Sequence, residues 1–309
     1  MALTMMPWHV LGVRFLDRVG KGFRGAPRDA LIADSTEAED RGRAFGFHRA
    51  MDHAGAVIGP LIAFALLHTM FGFVETAISA QTYRKIFWVA TLPALGAILV
   101  AIFLVKEIAP PSRPSDNDGV SESAPLSRPF KSFLGILALF TLGNSSDAFL
   151  LLRAQELGIL PISAPILWIL LHIVKSLSST PGSAWSDRIG KRPTICIGWI
   201  IYALIYVGFA FATECWHVWL LFALYGIYFG LTEGSEKAFV ADLVSAERRS
   251  TAYGIHGSVI GLAALPASVL FGLVWTHFGS ATAFSLGATL SIVAALLLAT
   301  LRPSTSNAQ

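Results

Sequence analysis

Residues 28–49, RDALIADSTEAEDRGRAFGFHR, recur without a gap at 236–257 as EKAFVADLVSAERRSTAYGIHG. The offset is 208. It keeps Ala30/Ala238, Asp34/Asp242, Glu39/Glu247, Arg41/Arg249, Gly46/Gly254 and His48/His256, with nine of 22 positions identical. A unit of helix end, charged loop and helix start, copied at this range in an otherwise apolar chain, points to a membrane protein built from two repeated halves. The first copy starts close to Met1, so the first half is expected to be short at its front.

Composition supports the membrane reading independently. Hydrophobic residues make up 54% and charged residues 14%, with a mean hydropathy of +0.61, whereas soluble domains carry roughly 25% charge. A bilayer crossing needs ~20 apolar residues, and Ile86–Val105 and Pro193–Thr213 supply them without a charge. Leu157–Val174 and Cys215–Thr232 are adequate with polar flanks, and Ala54–Phe73 is a fifth span. Ser250–Leu301 is long enough for two helices, with a break near Thr276–Ser280. Phe133–Ser146 spans only if Asp147 lies within the helix. Nine transmembrane helices are thus expected, at 4–35, 43–71, 84–106, 131–153, 161–186, 193–213, 216–244, 250–275 and 281–301, an all-α integral membrane bundle. No cleavable signal is evident, and the two cysteines, Cys196 and Cys215, sit at opposite ends of one apolar segment, which suits neither a disulfide nor a metal site.

Alternate loops carry twelve cations, among them Arg41, Arg43, Lys106, Arg188, Lys191, Arg248 and Arg302, against Arg84, Lys85 and Arg153 on the other side. The basic side, with the C-terminus, is therefore expected in the cytoplasm. The net charge of +3 reflects this topology rather than nucleic-acid binding. Residues 107–130, EIAPPSRPSDNDGVSESAPLSRPF, hold five prolines and five serines and read as a cytoplasmic linker. It separates 1–106, a partial N-terminal half of three helices, from 131–309, a C-terminal half of six.

Between two membrane segments stands Ser186-Asp187-Arg188-Ile189-Gly190-Lys191-Arg192. This loop resembles the cytoplasmic signature of the major facilitator superfamily, with Ser183 where that family usually has glycine. The resemblance covers about Trp8 to Arg302 and implies a two-half helical bundle that starts at the family's fourth helix, through a true truncation or a mis-called start. It further implies that Asp187 latches near the start of the helix opening at Arg43-Ala44-Phe45 and that Arg188, Gly190, Lys191 and Arg192 complete a gating loop. Simple positive-inside anchoring of those cations competes with that reading, but the Asp-Arg-x-Gly order adds something anchoring does not need. Gly46, Gly55, Gly59 and Pro60 resemble the fifth-helix signature of antiporters in the same family, although Ala63 and Phe64 replace its closing glycines. An ordinary small-residue packing face competes with that reading.

On the first helix Arg14, Asp17, Arg18, Lys21, Arg24 and Arg28 share one face. Each central charge costs roughly 2.5 to 3.5 kcal/mol against lipid, so the stripe must face water or partners. Arg14 matches an arginine common in the family's fourth helix. In the second half Tyr225, Tyr228, Thr232 and Glu236 line one face, with Glu233 and Lys237 beside it. Family architecture places the two helices across a central cavity, so Arg24 or Arg28 is expected to face Glu233 or Glu236, as a proton-responsive carboxylate, an anion-attracting wall or a static ion-pair network. Asn144 and Asp147 form a second polar cluster, able to titrate, bind substrate or bond helix to helix.

Other signals lead nowhere. Gly20-Lys21-Gly22-Phe23-Arg24-Gly25 satisfies a dinucleotide pattern but lacks the strand and acidic residue that would give it meaning. The eight histidines show no ligand spacing, and no nucleophile, base and orienter group together. The expectation is a monomeric secondary transporter in a plasma membrane, bacterial inner membrane by resemblance. It would move a small molecule by alternating access with proton coupling, efflux by antiport favoured, and without cofactor, metal or nucleic acid. The alternative is a truncated, non-transporting membrane remnant, and little flux is expected from residues 1–309 alone.

Overall fold

The computed structural model describes residues 6–70, 80–105 and 126–301. The linker, apart from its last five residues, and the tail from Arg302 lie outside them. Ten α-helices form the described chain: α1 Pro7–Asp34, α2 Arg41–Met70, α3 Ala80–Phe103, α4 Arg128–Gly143, α5 Asp147–Glu156, α6 Ala164–Ile189, α7 Lys191–Phe211, α8 Cys215–Leu243, α9 Arg249–Phe278 and α10 Ser280–Thr300. No strand occurs among the described residues. Among the described residues six segments, including α4 and α5 taken together, are long and apolar enough to cross a membrane. The others, α1, α2 and α6, have the length but carry polar and charged residues within it.

The expected single helix at 131–153 is corrected in two respects. It starts earlier, at Arg128, because Ser127 caps it by accepting from the Phe130 N–H at 3.3 Å and ties itself to α8 by donating to the Leu243 carbonyl at 2.8 Å. It also breaks at Asn144-Ser145-Ser146, where the Ser146 hydroxyl accepts from the Ala148 N–H and starts α5. Non-helical backbone at membrane depth persists only where protein satisfies it. Here the Tyr202 hydroxyl donates to the Gly143 carbonyl at 3.1 Å, and Ser145 bonds Tyr206 at 3.1 Å.

Glycines let the backbones meet. A Cβ on Gly143 would stand 2.9 Å from the Gly287 carbonyl oxygen, which places α4 directly on α10. Gly182 and Gly230 do the same for α6 and α8, with 2.7 Å to the Gly230 oxygen. Around these crossings the second half buries Phe140, Trp199, Tyr202, Tyr206, Phe209 and Phe284. Without a hydrophobic drive between helices in lipid, such close contacts supply the packing energy.

The repeat acquires a geometric meaning. Asp29 meets Lys237, its own partner at offset 208, and the rings of Phe45 and Tyr253, again partners, lie 5.9 Å apart. Residues that touch their own copies mark a pseudo-two-fold axis. Off the axis the contacts are swapped: Arg41 pairs with Asp242 at 3.2 Å, and Arg249, the copy of Arg41, pairs with Asp34, the copy of Asp242.

Candidate functional site between the halves

At the linker end of the bundle α2 starts against the end of α6. Asp187 accepts hydrogen bonds from the backbone N–H groups of Gly42 at 2.9 Å and Arg43 at 2.8 Å. A carboxylate suits that position, because the first turn of a helix offers unpaired N–H donors and a positive dipole end. Gly190 ends α6 and opens α7 with φ of +101°, a left-handed conformation that favours glycine. The sharp turn aims Lys191 back across the halves, 2.8 Å from the Ala38 carbonyl and 3.0 Å from Asp242. Arg192 bonds the Leu301 carbonyl, and Arg188 is exposed. Of the four antiporter-like positions, Gly46 is pressed against Ser179 and Ser183, whereas Gly55 and Gly59 meet nothing within 4 Å and Pro60 is exposed.

A second cluster lies deeper. Counting 1.5 Å per residue from the linker end of each helix, His53, Lys175 and Glu233 sit roughly 15 to 21 Å in, near the middle of a 30 Å membrane. Glu233 of α8 accepts from or donates to His53 Nε2 of α2 at 2.9 Å and stands 3.7 Å from Arg49 Nε. His53 Nδ1 is 3.2 Å from His172 Nδ1 of α6, and Arg49 also reaches Asp52 at 3.4 Å. Lys175, 5% exposed, holds its ammonium 3.2 Å above the Phe229 ring. Toward the break in α4–α5, Tyr225 donates to Asp147 at 2.8 Å, Trp199 Nε1 to Glu236 at 3.0 Å, and Tyr202 to Asn144 at 3.3 Å. Tyr228 is buried in the same aromatic stack, 5.0 Å from Tyr202.

These contacts correct the expected pairing of Arg24 or Arg28 with Glu233 or Glu236. Arg28 instead holds Asp29 at 3.1 Å, Arg24 is exposed, and the carboxylates of α8 are taken by α2 and α7. Helix α1 reaches α8 near the linker end, through Asp29 and Lys237, while the face of α8 one turn deeper looks toward α2. Along α1, Arg14 and Asp17 are exposed, with Asp17 bound to Lys21 at 2.9 Å; Arg18 lies in the same helix. The residues that sequence reading missed are Arg49, Asp52, His53, His172 and Lys175. Arg49, Asp52, His53 and Lys175 stand just beyond the edge of a charge-free window, where a search that ends a span at its first charge stops short of them, whereas His172 lies within the window Leu157–Val174.

A helical bundle with a two-fold repeat, glycine-mediated crossings, a broken helix and a charged cluster at mid-depth has the architecture of a multi-pass membrane transporter. The family model of the Major Facilitator Superfamily matches residues 1–174 and 132–309. The chain belongs to that family. It is 37% identical over 291 residues to the uncharacterized MFS-type transporter MJ1317 of Methanocaldococcus jannaschii, covering 92% of this chain and 69% of that protein. To the uncharacterized protein Rv2265 of Mycobacterium tuberculosis it is 27% identical over 275 residues, covering 87% of this chain and 64% of that one. The fold is similar to the human organic anion transporter MFSD10, with a TM-score of 0.69 at 12% identity, covering 88% of this chain and 67% of that one. It is also similar to the proton:xylose symporter XylE, with 0.64 at 15%, covering 87% and 65%. The chain thus spans about two thirds of the length of each of these proteins.

Proposed function

We propose that the chain carries alternating-access machinery for a small molecule, coupled to protons, with efflux by antiport as its direction. The observation that carries the proposal is Glu233, a carboxylate on one half held by His53 and Arg49 on the other at mid-membrane depth. Protonating it removes the charge that draws Arg49 and His53 to α8 and leaves Arg49 facing Lys175 and the two histidines. The halves then separate. Asp187, Lys191 and the swapped pairs Arg41–Asp242 and Arg249–Asp34 form the gate that closes the linker end while Glu233 is charged and that parts when it is protonated. Efflux is supported by Gly46, Gly55, Gly59 and Pro60 and their resemblance to the antiporter signature. The charge bias of the loops supports a cytoplasmic linker and C-terminus, and the family supports a plasma membrane, in bacteria the inner one.

The test is conformational and needs no known substrate. With spin labels at positions 43 and 188 on the linker end, Glu233→Gln, which removes the charge as protonation does, is expected to lengthen the distance between them at a fixed neutral pH, and Glu233→Asp to keep it short. A wild-type distance in Glu233→Gln refutes the coupling role. Pyranine-loaded liposomes then report proton movement when candidate substrates are added from either side, and proton uptake coincident with substrate exit is the expected direction.

A further inference from the structure

Between α1 and α9 runs a cleft of about 830 Å³, floored by α8 and α2. That volume lies within the range of small-molecule sites, roughly 300 to 1,000 Å³. Its charged lining is lopsided: Lys21, Arg28, Arg49 and Lys237 against the single carboxylate of Asp29. Lys21 is tied to Asp17 along α1, and Arg49 is shared with Asp52 and Glu233 behind it. Asp29, however, answers both Arg28 and Lys237, and Asp29 and Lys237 are 6% and 8% exposed. Among the described residues these two cations therefore share one carboxylate, with Lys237 buried and Arg28 about a third exposed toward the cleft. Buried ions persist where they are paired.

One further polar atom on the same lining lacks a hydrogen bond among the described residues, the Nε2 of His256, a residue 6% exposed. The Nε of Arg49 faces Glu233 at 3.7 Å. Gly25 on one wall and Gly257 on the other have nothing within 4 Å of where a Cβ would stand, so the cleft is open between its charged groups. Two cations sharing one carboxylate, beside an unsatisfied ring nitrogen, are complemented by an anion with several acceptor oxygens.

Building on the transporter reading, we infer that the substrate is a small organic anion, whose acidic group binds between Arg28, Lys237, Arg49 and His256. The test is binding to the purified 309-residue chain in phosphatidylcholine nanodiscs, read by calorimetry with benzoate, benzamide and benzylamine, three probes of nearly equal shape. Benzoate is expected to bind, and the amide and amine to bind at least about tenfold more weakly, since hydrogen bonds to charged groups are the strong ones. Arg49→Gln and Arg28→Gln are each expected to weaken benzoate about tenfold or more, with Arg49→Lys falling between. Thermal melting identifies any variant that misfolds; because Arg28 is partly exposed, its variant keeps the test usable if Arg49→Gln does not fold. Equal binding of the three probes, no benzoate binding, or unchanged affinity in both variants overturns the inference. So does loss of benzoate binding in phosphatidylglycerol discs, which would make a lipid headgroup the occupant. Binding is read without flux, so retained benzoate binding with a wild-type 43–188 distance in Glu233→Gln would overturn the transport reading and leave the anion site standing.

Discussion

Gly46→Ala is the sharpest perturbation of the closed linker end. An added Cβ would stand 2.7 Å from the Ser183 Cβ and closer still to the Ser179 carbonyl, a backbone oxygen in the middle of α6 that cannot swing away. Overpacking of this kind costs about 1 to 3 kcal/mol. The gain in helix propensity, about 0.5 to 1 kcal/mol, applies to open and closed forms alike, because α2 is helical in both, and it leaves their ratio unchanged. At about 1.4 kcal/mol per tenfold, the ratio of closed to open is expected to fall about 5- to 150-fold. Spin labels at the exposed positions 43 and 188, in a background carrying Cys196→Ala and Cys215→Ser, report that ratio as a distance distribution. Gly55→Ala and Gly59→Ala are the matched controls, since nothing lies within 4 Å of either added carbon. They are expected to keep the wild-type distribution and to melt slightly higher. A wild-type distribution in Gly46→Ala, or an equal shift in Gly55→Ala, would refute the packing argument.

Neutralising Arg41→Gln or Asp242→Asn alone is expected to shift the linker end toward the open form, Asp242→Asn the further because Asp242 also holds Lys191 at 3.0 Å. The coupling measured by the Arg41–Asp242 cycle should be about 0.2 to 1 kcal/mol, as for partly exposed pairs, and the cycle Arg249–Asp34 should fall in the same range if the two-fold is real. Gly190→Ala is expected to lower thermal stability by about 1 to 2 kcal/mol, the strain of a left-handed non-glycine residue, with Arg188→Ala nearly neutral in the same melting assay. Lys175→Met is expected to raise the melting temperature, because among the described residues its ammonium has an aromatic face and no acceptor. A lower melting temperature would reveal an ion pair that the geometry does not contain.

Much of this was legible along the chain. Apolar runs of bilayer length set the helices to within a few residues, since in lipid a backbone has no other way to satisfy its own polar groups. The loop Ser186–Arg192 identified where α6 turns into α7, and Asp187 stands against the N–H groups of Gly42 and Arg43, where the resemblance placed it. Less legible was the break at Asn144–Ser146. It depends on hydroxyls of Tyr202 and Tyr206, some 60 residues away, satisfying a backbone that local propensity alone would keep helical.

The copied segment marks the division most clearly. By itself the sequence determined that two related halves exist and which residues correspond, because an offset of 208 is a property of the string. Only the tertiary structure decided which correspondents touch. Helix α1 meets α8 along a line close to the two-fold axis, so Asp29 finds its own copy Lys237, while Arg41 and Asp34, off that line, find each other's copies. The face of α8 bearing Glu233 turned to α2 rather than to the arginines of α1 for the same reason. Periodicity fixes which face a residue shares, but the tilt and rotation of packed helices are set by where glycines let backbones meet, and that depends on pairs of helices rather than on either sequence alone.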